Sequence, residues 1–221
     1  MHVDLLLPMK PLTRAKTRLL GAADGGFGAP GAHARLVLAL ARDTFAAATE
    51  APVVRRAVAI CSDAAVRRAL AADGVETIPD EPAAGLNSAL RYGEVLLRTA
   101  DPAATVAALP ADLPALRPQE LDRAIRDAVA TGGRAFCTDQ AGTGTTLLLA
   151  PRGQALEPCF GTGSADAHRA SGSRELSGRW PGLRCDVDTA ADLALARRLG
   201  LGQFTQAALQ MPPSGIHLRK P

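Results

Sequence analysis

Aromatic side chains are scarce in this chain: one Trp, one Tyr and five Phe, 3% of 221 residues. So few rings offer little for unpaired bases to stack on, and a formal net charge of +3 is too small to draw in a phosphate backbone. Nucleic acid is therefore not an expected partner. Long apolar runs are missing as well, since no stretch nears the roughly 20 residues a membrane-spanning helix needs. The opening "VDLLLP" carries no basic n-region and no small-residue cleavage site, so no signal peptide is expected and a cytoplasmic location follows by default. The four cysteines (Cys61, Cys137, Cys159, Cys185) form no C-x-x-C pair. They read as small buried hydrophobes, and a zinc site is not expected. There is no Walker loop, no G-x-G-x-x-G after the first strand, no G-x-S-x-G and no H-E-x-x-H.

What is present is an ordinary globular balance, 47% hydrophobic and 21% charged, at a length suited to one α/β domain. Strand patterns at residues 3–8, 57–61, 75–79, 104–109, 134–138 and 145–150 alternate with helical ones at 32–49, 62–74, 85–100, 118–129, 164–172 and 189–200. Ser62 or Asp63 suits the cap of the second helix, and Gly200 closes the last. "LRCDVD" (183–188) reads as the end of a further strand. The alternation predicts a mostly parallel sheet covered by helices on both faces. A single domain is expected over 1–200, with 201–221 as a C-terminal tail.

Ligands of such sheets bind beyond the carboxyl ends of the strands, and chemistry-bearing residues cluster there. "KPLTRAKTR" follows the first strand and holds Lys10, Arg14, Lys16 and Arg18, cations suited to a polyphosphate or simply to a solvated loop. Asp112, in "ALPADLPAL", lies just past another strand between Pro110 and Pro114, which stiffen the backbone around it. Asp186 and Asp188 lie two apart on an extended segment and so share a face. Carboxylates there suit Mg²⁺, which bridges to substrate phosphates; Asp188 or Thr189 also suits the cap of the last helix. "GTGTT" (142–146) and "FGTGSADAH" (160–168) offer backbone N–H groups and hydroxyls to an anion, with Ser164 at a helix start. Either stretch also reads as turn chemistry. His168 reads as a packed or surface histidine rather than a base. Gly85 and Asn87 in "GLNSAL" suit either a base or ribose edge or a helix cap. Cations, carboxylates and anion-friendly loops together fit phosphoryl or nucleotidyl transfer.

"LLLPMKPLTRAKTRL", "GLNSAL", "LPADLP", "GTGTTLLLAP", "FGTGSADAH" and "LRCDVDTAADL" stand in this order over residues 3–200. In that order they resemble the 2-phospho-L-lactate guanylyltransferase family, whose actinobacterial members are described as phosphoenolpyruvate guanylyltransferases of coenzyme F-420 biosynthesis. The resemblance implies a Rossmann-like nucleotidyltransferase fold, with Mg²⁺ held by Asp112, Asp186 and Asp188. It implies contact of the acceptor carboxylate with Thr145 or Thr146, Gly161 and Ser164. Lys10, Lys16 and Arg18 match the nucleotide-phosphate loop, and Gly85 with Asn87 the guanosine side. Asp112, Lys16 and Lys10 are the expected catalytic group. The implied partners are GTP and a small phosphorylated carboxylic acid, with the product handed to a downstream deazaflavin transferase by a monomer or homodimer. Competing readings are a nucleotidyltransferase with a molybdopterin or sugar-phosphate acceptor, and a non-catalytic GTP-binding module. Three intact aspartates argue against the second.

The chemistry is consistent with that resemblance. A phosphate monoester loses its second proton near pH 6, so the attacking phosphate is largely ionised at neutral pH and needs no general base. The obstacle is bringing two polyanions together, since like unit charges about 4 Å apart repel by about 4 kcal/mol at an effective dielectric of 20.

Overall fold

A computed structural model describes residues 2–11, 16–81 and 83–211. Its strands are β1 (Val3–Met9), β2 (Val54–Cys61), β3 (Glu76–Ile78), β4 (Thr105–Ala108), β5 (Ala135–Thr138), β6 (Thr145–Ala150) and β7 (Arg174–Glu175). The helices are α1 (Pro30–Glu50), α2 (Ala64–Ala72), α3 (Leu86–Ala100), α4 (Pro118–Ala130), α5 (Ser164–Ala170), α6 (Pro181–Arg184), α7 (Ala190–Leu199) and α8 (Gln203–Gln210), with a 3₁₀ turn at Thr17–Leu19. Among the described residues the strands form one sheet, ordered β3-β2-β1-β4-β6-β5-β7. The expected mostly parallel arrangement is present: β6 runs antiparallel to β4 and β5, while the other neighbouring pairs are parallel.

Strands buried on both faces lose the polar alternation of an exposed sheet, and β1 and β6 show this most clearly. Val3 to Leu7 and all of β6 are buried. Alternate residues face opposite layers. Leu5, Leu7, Ala57, Ala59, Ala107, Leu147 and Leu149 pack with Phe45 of α1 and with Leu121 and Ile125 of α4. Leu6, Val58, Ile60, Val106, Phe136 and Leu148 pack with Ala89, Leu90 and Leu97 of α3. Gly93 lets α3 come this close, because a Cβ there would lie 2.6 Å from Ile60 Cδ1 and 3.0 Å from Leu6 Cδ2. That contact offsets the roughly 1 kcal/mol a mid-helix glycine costs.

Local caps follow the sequence signals. Asp63 takes the cap of α2, accepting from the N–H groups of Ala65 (2.8 Å) and Val66 (3.3 Å). Thr189, rather than Asp188, caps α7: it forms a reciprocal capping box with Asp192, and Asp188 adds only its backbone N–H to the Asp192 carboxylate (3.2 Å), so its own carboxylate takes no part in the cap.

Two expectations are corrected. Residues 185–188 are not a sheet strand, and α6 occupies 181–184 where Pro181 starts a helical turn. The segment is extended, with Cys185 and Val187 buried, but among the described residues the backbone link of 185–188 to the rest of the chain is one bond from Val187 N–H to the Asp112 carbonyl (3.0 Å), too little for a ladder. The segment from residue 201, expected as a tail, is also helical in part. Residues 203–210 form α8, whose first N–H groups, those of Phe204 and Thr205, donate to the buried Asp43 carboxylate of α1 at 3.0 and 2.8 Å. Pro212 to Pro221 lie outside the described residues.

Candidate active site

The carboxyl ends of β1 and β4 open into a cleft of about 250 Å³. Pro8, Met9 and Lys10 leave β1 on one side, Pro110 and Asp112 leave β4 on the other, and Lys16 and Asp188 close the polar end. The rest of the lining is largely apolar: Val37 and Leu40 from α1, Leu86 and Leu90 from α3, and Phe160. The loop bearing Asp112 is held from behind. Leu113 N–H donates to Thr44 Oγ1 (2.9 Å), whose own hydroxyl donates to the Leu40 carbonyl (2.9 Å). Gly202 N–H reaches the Pro114 carbonyl (2.8 Å), and Val187 N–H the Asp112 carbonyl (3.0 Å). Two acidic segments distant in sequence are thereby fastened to each other through their backbones.

Lys16 donates to both Asp112 Oδ2 and Asp188 Oδ1. It does so from a left-handed backbone (φ 56°), an arrangement that costs a non-glycine residue about 1–3 kcal/mol and recurs at functional sites. Burial opposes its positive charge, but the attraction of Asp112 and Asp188 outweighs burial and holds its pKa above the ordinary lysine range. Asp186 is within electrostatic reach of the same group. Burial first, then the Asp112 and Asp188 carboxylates, push it upward, with Lys16 opposing. Asp112 Oδ1 is buried and has no hydrogen-bond partner among the described residues. Asp112 and Asp188 already flank a cation here, Asp112 keeps a spare oxygen, and Asp186 lies within electrostatic reach, a donor set that suits a hard divalent ion. Among the described residues, however, no three His, Cys, Asp or Glu side chains converge into a ready-made metal cage.

The other expected residues are distributed as follows. Lys10 lines the cleft. Arg18 is exposed on the 3₁₀ turn, and Arg14 lies outside the described residues. Gly85 caps α3 at φ 95°. Both ends of the Asn87 amide are engaged by the backbone of Phe160: Nδ2 donates to its carbonyl (3.0 Å), and its N–H donates to Oδ1 (2.8 Å). Asn87 thus clamps the 160–164 loop to the start of α3.

Thr145 and Thr146 part company at a bulge. Cys137 pairs with Leu147 and Thr138 with Thr145, so Thr146 is the extra residue. A bulge re-aims the side chains beyond it. Strict alternation would place Thr145 with Leu147 and Leu149, yet it turns towards α5. Its Oγ1 lies 2.9 Å from His168 Nδ1 and 3.1 Å from Ser164 Oγ. Thr146 is fully buried, with the Thr138 carbonyl 3.5 Å from its hydroxyl. Because β6 is antiparallel, its first residue lies at the same sheet edge as the last residues of β4 and β5. Gly161 (φ 139°) and Gly163 (φ 71°) shape the loop that brings Ser164 there, and Ala165 N–H ties that loop to the Thr143 carbonyl (3.1 Å).

His168, read from the sequence as a packed or surface histidine, is the packed kind, but its bond to Thr145 was not foreseen. It is fully buried between Phe136 and Phe160, whose ring centroids lie 5.8 and 5.1 Å away. Its Nε2 accepts from the Cys159 N–H (2.9 Å). Burial, then the Arg134 charge, lower its pKa to about 4, against the pull of the Ser164 carbonyl. The available signal was its spacing from Ser164 in "SADAH", which puts both on one face of a helix.

Residues 37–175 match the family model of the MobA-like NTP transferase domain. The chain is 48% identical over 206 residues to the phosphoenolpyruvate guanylyltransferase of Geodermatophilus obscurus, covering 93% of each chain. It is 48% identical over 208 residues to that of Streptomyces coelicolor, covering 94% of this chain and 95% of the relative. Among solved structures, a nucleotide-diphospho-sugar transferase from Desulfovibrio desulfuricans superposes with a TM-score of 0.63 at 18% identity, covering 95% of this chain and 94% of the other.

Proposed function

We propose a function from the premise that this chain belongs to the MobA-like NTP transferase family and, within it, to the phosphoenolpyruvate guanylyltransferases: it transfers GMP from GTP to the phosphate of phosphoenolpyruvate. A phosphate oxygen of the acceptor attacks the α-phosphorus of GTP, the bond to the β-phosphate oxygen breaks, and pyrophosphate leaves. The product is enolpyruvyl-diphosphoguanosine, which suits the biosynthesis of coenzyme F-420. The observation that carries the reading is the charge cluster at the ends of β1 and β4, where Lys16 spans Asp112 and Asp188 beside an unpartnered carboxylate oxygen.

The site has little covalent work to do. The attacking phosphate is already ionised at neutral pH, and the buried neutral His168 is held too far down in pKa to act as its base. Positioning and charge compensation supply the rate. Lys10 and Lys16 face the cleft as point charges for the triphosphate. Thr145 and Ser164, whose hydroxyls lie 3.1 Å apart, would hold the acceptor carboxylate together with Gly161 of the adjoining loop. Val37, Leu40, Leu86 and Leu90 line the cleft with apolar surface, and the lower dielectric beside it strengthens the charge interactions within. Asp112, Asp186 and Asp188 would hold Mg²⁺, which neutralises phosphate charge as the two anions meet.

The test is pyrophosphate release from purified protein and Mg²⁺ with GTP alone, with GTP plus phosphoenolpyruvate, and with GTP plus 2-phospholactate, the product identified by mass. Release that depends on phosphoenolpyruvate is expected. Release from GTP irrespective of acceptor, or none at all, would overturn the reading.

A further inference from the structure

We propose that His168 is a positioning residue for the acceptor carboxylate, acting by fixing which way the Thr145 hydroxyl hydrogen points. The inference rests on the function above. Its geometry starts from a group that can only donate, the Cys159 backbone N–H, which lies 2.9 Å from His168 Nε2. Nε2 must therefore be the bare nitrogen, and a neutral imidazole then carries its hydrogen on Nδ1. Nδ1–H faces Thr145 Oγ1 at 2.9 Å and donates to it. Thr145 cannot return a hydrogen to a nitrogen that already bears one. Ser164 Oγ, 3.1 Å away on the turn of α5 above His168, is the other neighbour of Thr145 Oγ1.

Ser164 Oγ donates the hydrogen of the bond the two hydroxyls share. The Thr145 hydrogen then has no acceptor among the described residues, so it is left to donate out of the protein. An anion is the partner that such a hydrogen suits. With the opposite tautomer, Thr145 would turn its hydrogen inward to Nδ1 and offer a lone pair to the ligand, which would repel a carboxylate. The packing of Phe136 and Phe160 around the ring keeps water from breaking the relay. Cys159 and Phe160 belong to the same loop as Gly161, so the backbone that cradles the acceptor also sets the tautomer that orients its hydroxyl ligand.

The experiment compares wild type with His168→Leu, His168→Asn and His168→Gln on two acceptors, phosphoenolpyruvate and vinyl phosphate, its analogue without the carboxylate. In the leucine variant KM for phosphoenolpyruvate should rise about tenfold, the size of one lost hydrogen bond to a charged group, while KM for GTP and kcat stay unchanged. Activity on vinyl phosphate should not respond, since there is no carboxylate to hold. Asparagine, whose Nδ2 takes the place of Nδ1–H, should restore most of the affinity, and glutamine should not. Equal losses on both acceptors would reduce His168 to a packing role and overturn the proposal, as would an unchanged KM in the leucine variant. If that variant does not fold, the asparagine and glutamine pair decides: equal KM values for phosphoenolpyruvate in the two would overturn it. A wild type inactive on phosphoenolpyruvate sinks the functional reading and this inference together. An active wild type with indifferent variants sinks this inference alone.

Discussion

Acidifying the protein asks the His168 ring to take a proton at a nitrogen that already faces a backbone N–H. Burial and the Arg134 charge lower its pKa from an ordinary 6.5 to about 4. A depressed folded-state pKa means the unfolded chain binds the proton first. The stabilisation by neutral His168 is thus complete above about pH 6.5 and is lost as pH falls towards 4. At about 1.4 kcal/mol per unit, the loss over that window is about 3 kcal/mol, a large share of the ordinary stability of a domain. The total acid curve is not diagnostic, because burial holds the Asp43 and Glu120 carboxyls above their usual range, and their protonation favours the folded state. The informative quantity is the difference between wild type and His168→Asn, in which those groups cancel. Urea unfolding followed by circular dichroism at half-unit steps from pH 7.5 to 4 measures it. The variant is expected to be less stable at pH 7 and to draw level as pH approaches 4. Two curves that run parallel over the whole range would refute the reasoning, because they would mean that His168 titrates alike in both states.

Three further outcomes follow from named contacts. Asp112→Asn should lower turnover with GTP and phosphoenolpyruvate about 1,000-fold, as losses of transition-state charge stabilisation do, while thermal unfolding shows the fold intact; near-normal pyrophosphate release would argue against the assigned role. Gly182→Ala should destabilise by about 1–3 kcal/mol, read from denaturant midpoints, because its Cβ would lie 2.3 Å from the Ala115 carbonyl oxygen, a backbone atom that cannot swing aside. Asp43→Ala should cost about 1–2 kcal/mol, as lost helix caps do. Amide exchange should then rise selectively over residues 203–210, where Asp43 now holds the Phe204 and Thr205 N–H groups.

The central strands were legible in the sequence because burial on both faces removes polar alternation, and "LLLP" and "TTLLLA" carry that mark. Asp63, Thr189 and Gly200 were legible because caps act within one turn of their own residue. Local signals misled where the deciding contact is distant. "QFTQAALQ" has little to mark it as ordered by itself; α8 belongs to the fold because Asp43, far away on α1, caps it. "LRCDVD" has the alternation of a strand, but Pro181 starts a helical turn over its first residues, and the backbone bonds it makes, from Gln140 N–H to the Arg184 carbonyl and from Val187 N–H to the Asp112 carbonyl, do not build a ladder. Asn87 reads locally as a base reader or a cap; that both ends of its amide bond the Phe160 backbone is a long-range contact its own segment does not show.

The sequence by itself determined the chemical inventory and the edge on which it gathers. Lys10 follows β1 directly, Lys16 and Asp112 lie in the loops after β1 and β4, and a parallel sheet presents such loops at its carboxyl ends whatever the rest of the chain does. Only the tertiary structure decided how that inventory is oriented. The bulge at Thr146 turned Thr145 towards α5, and the Cys159 N–H chose the His168 tautomer. Lys16 came to lie between Asp112 and Asp188 because Val187 bonds the Asp112 backbone. Each of these rests on a hydrogen bond between segments far apart in the chain or on a strand pairing, and neither is written in the periodicity of a single segment.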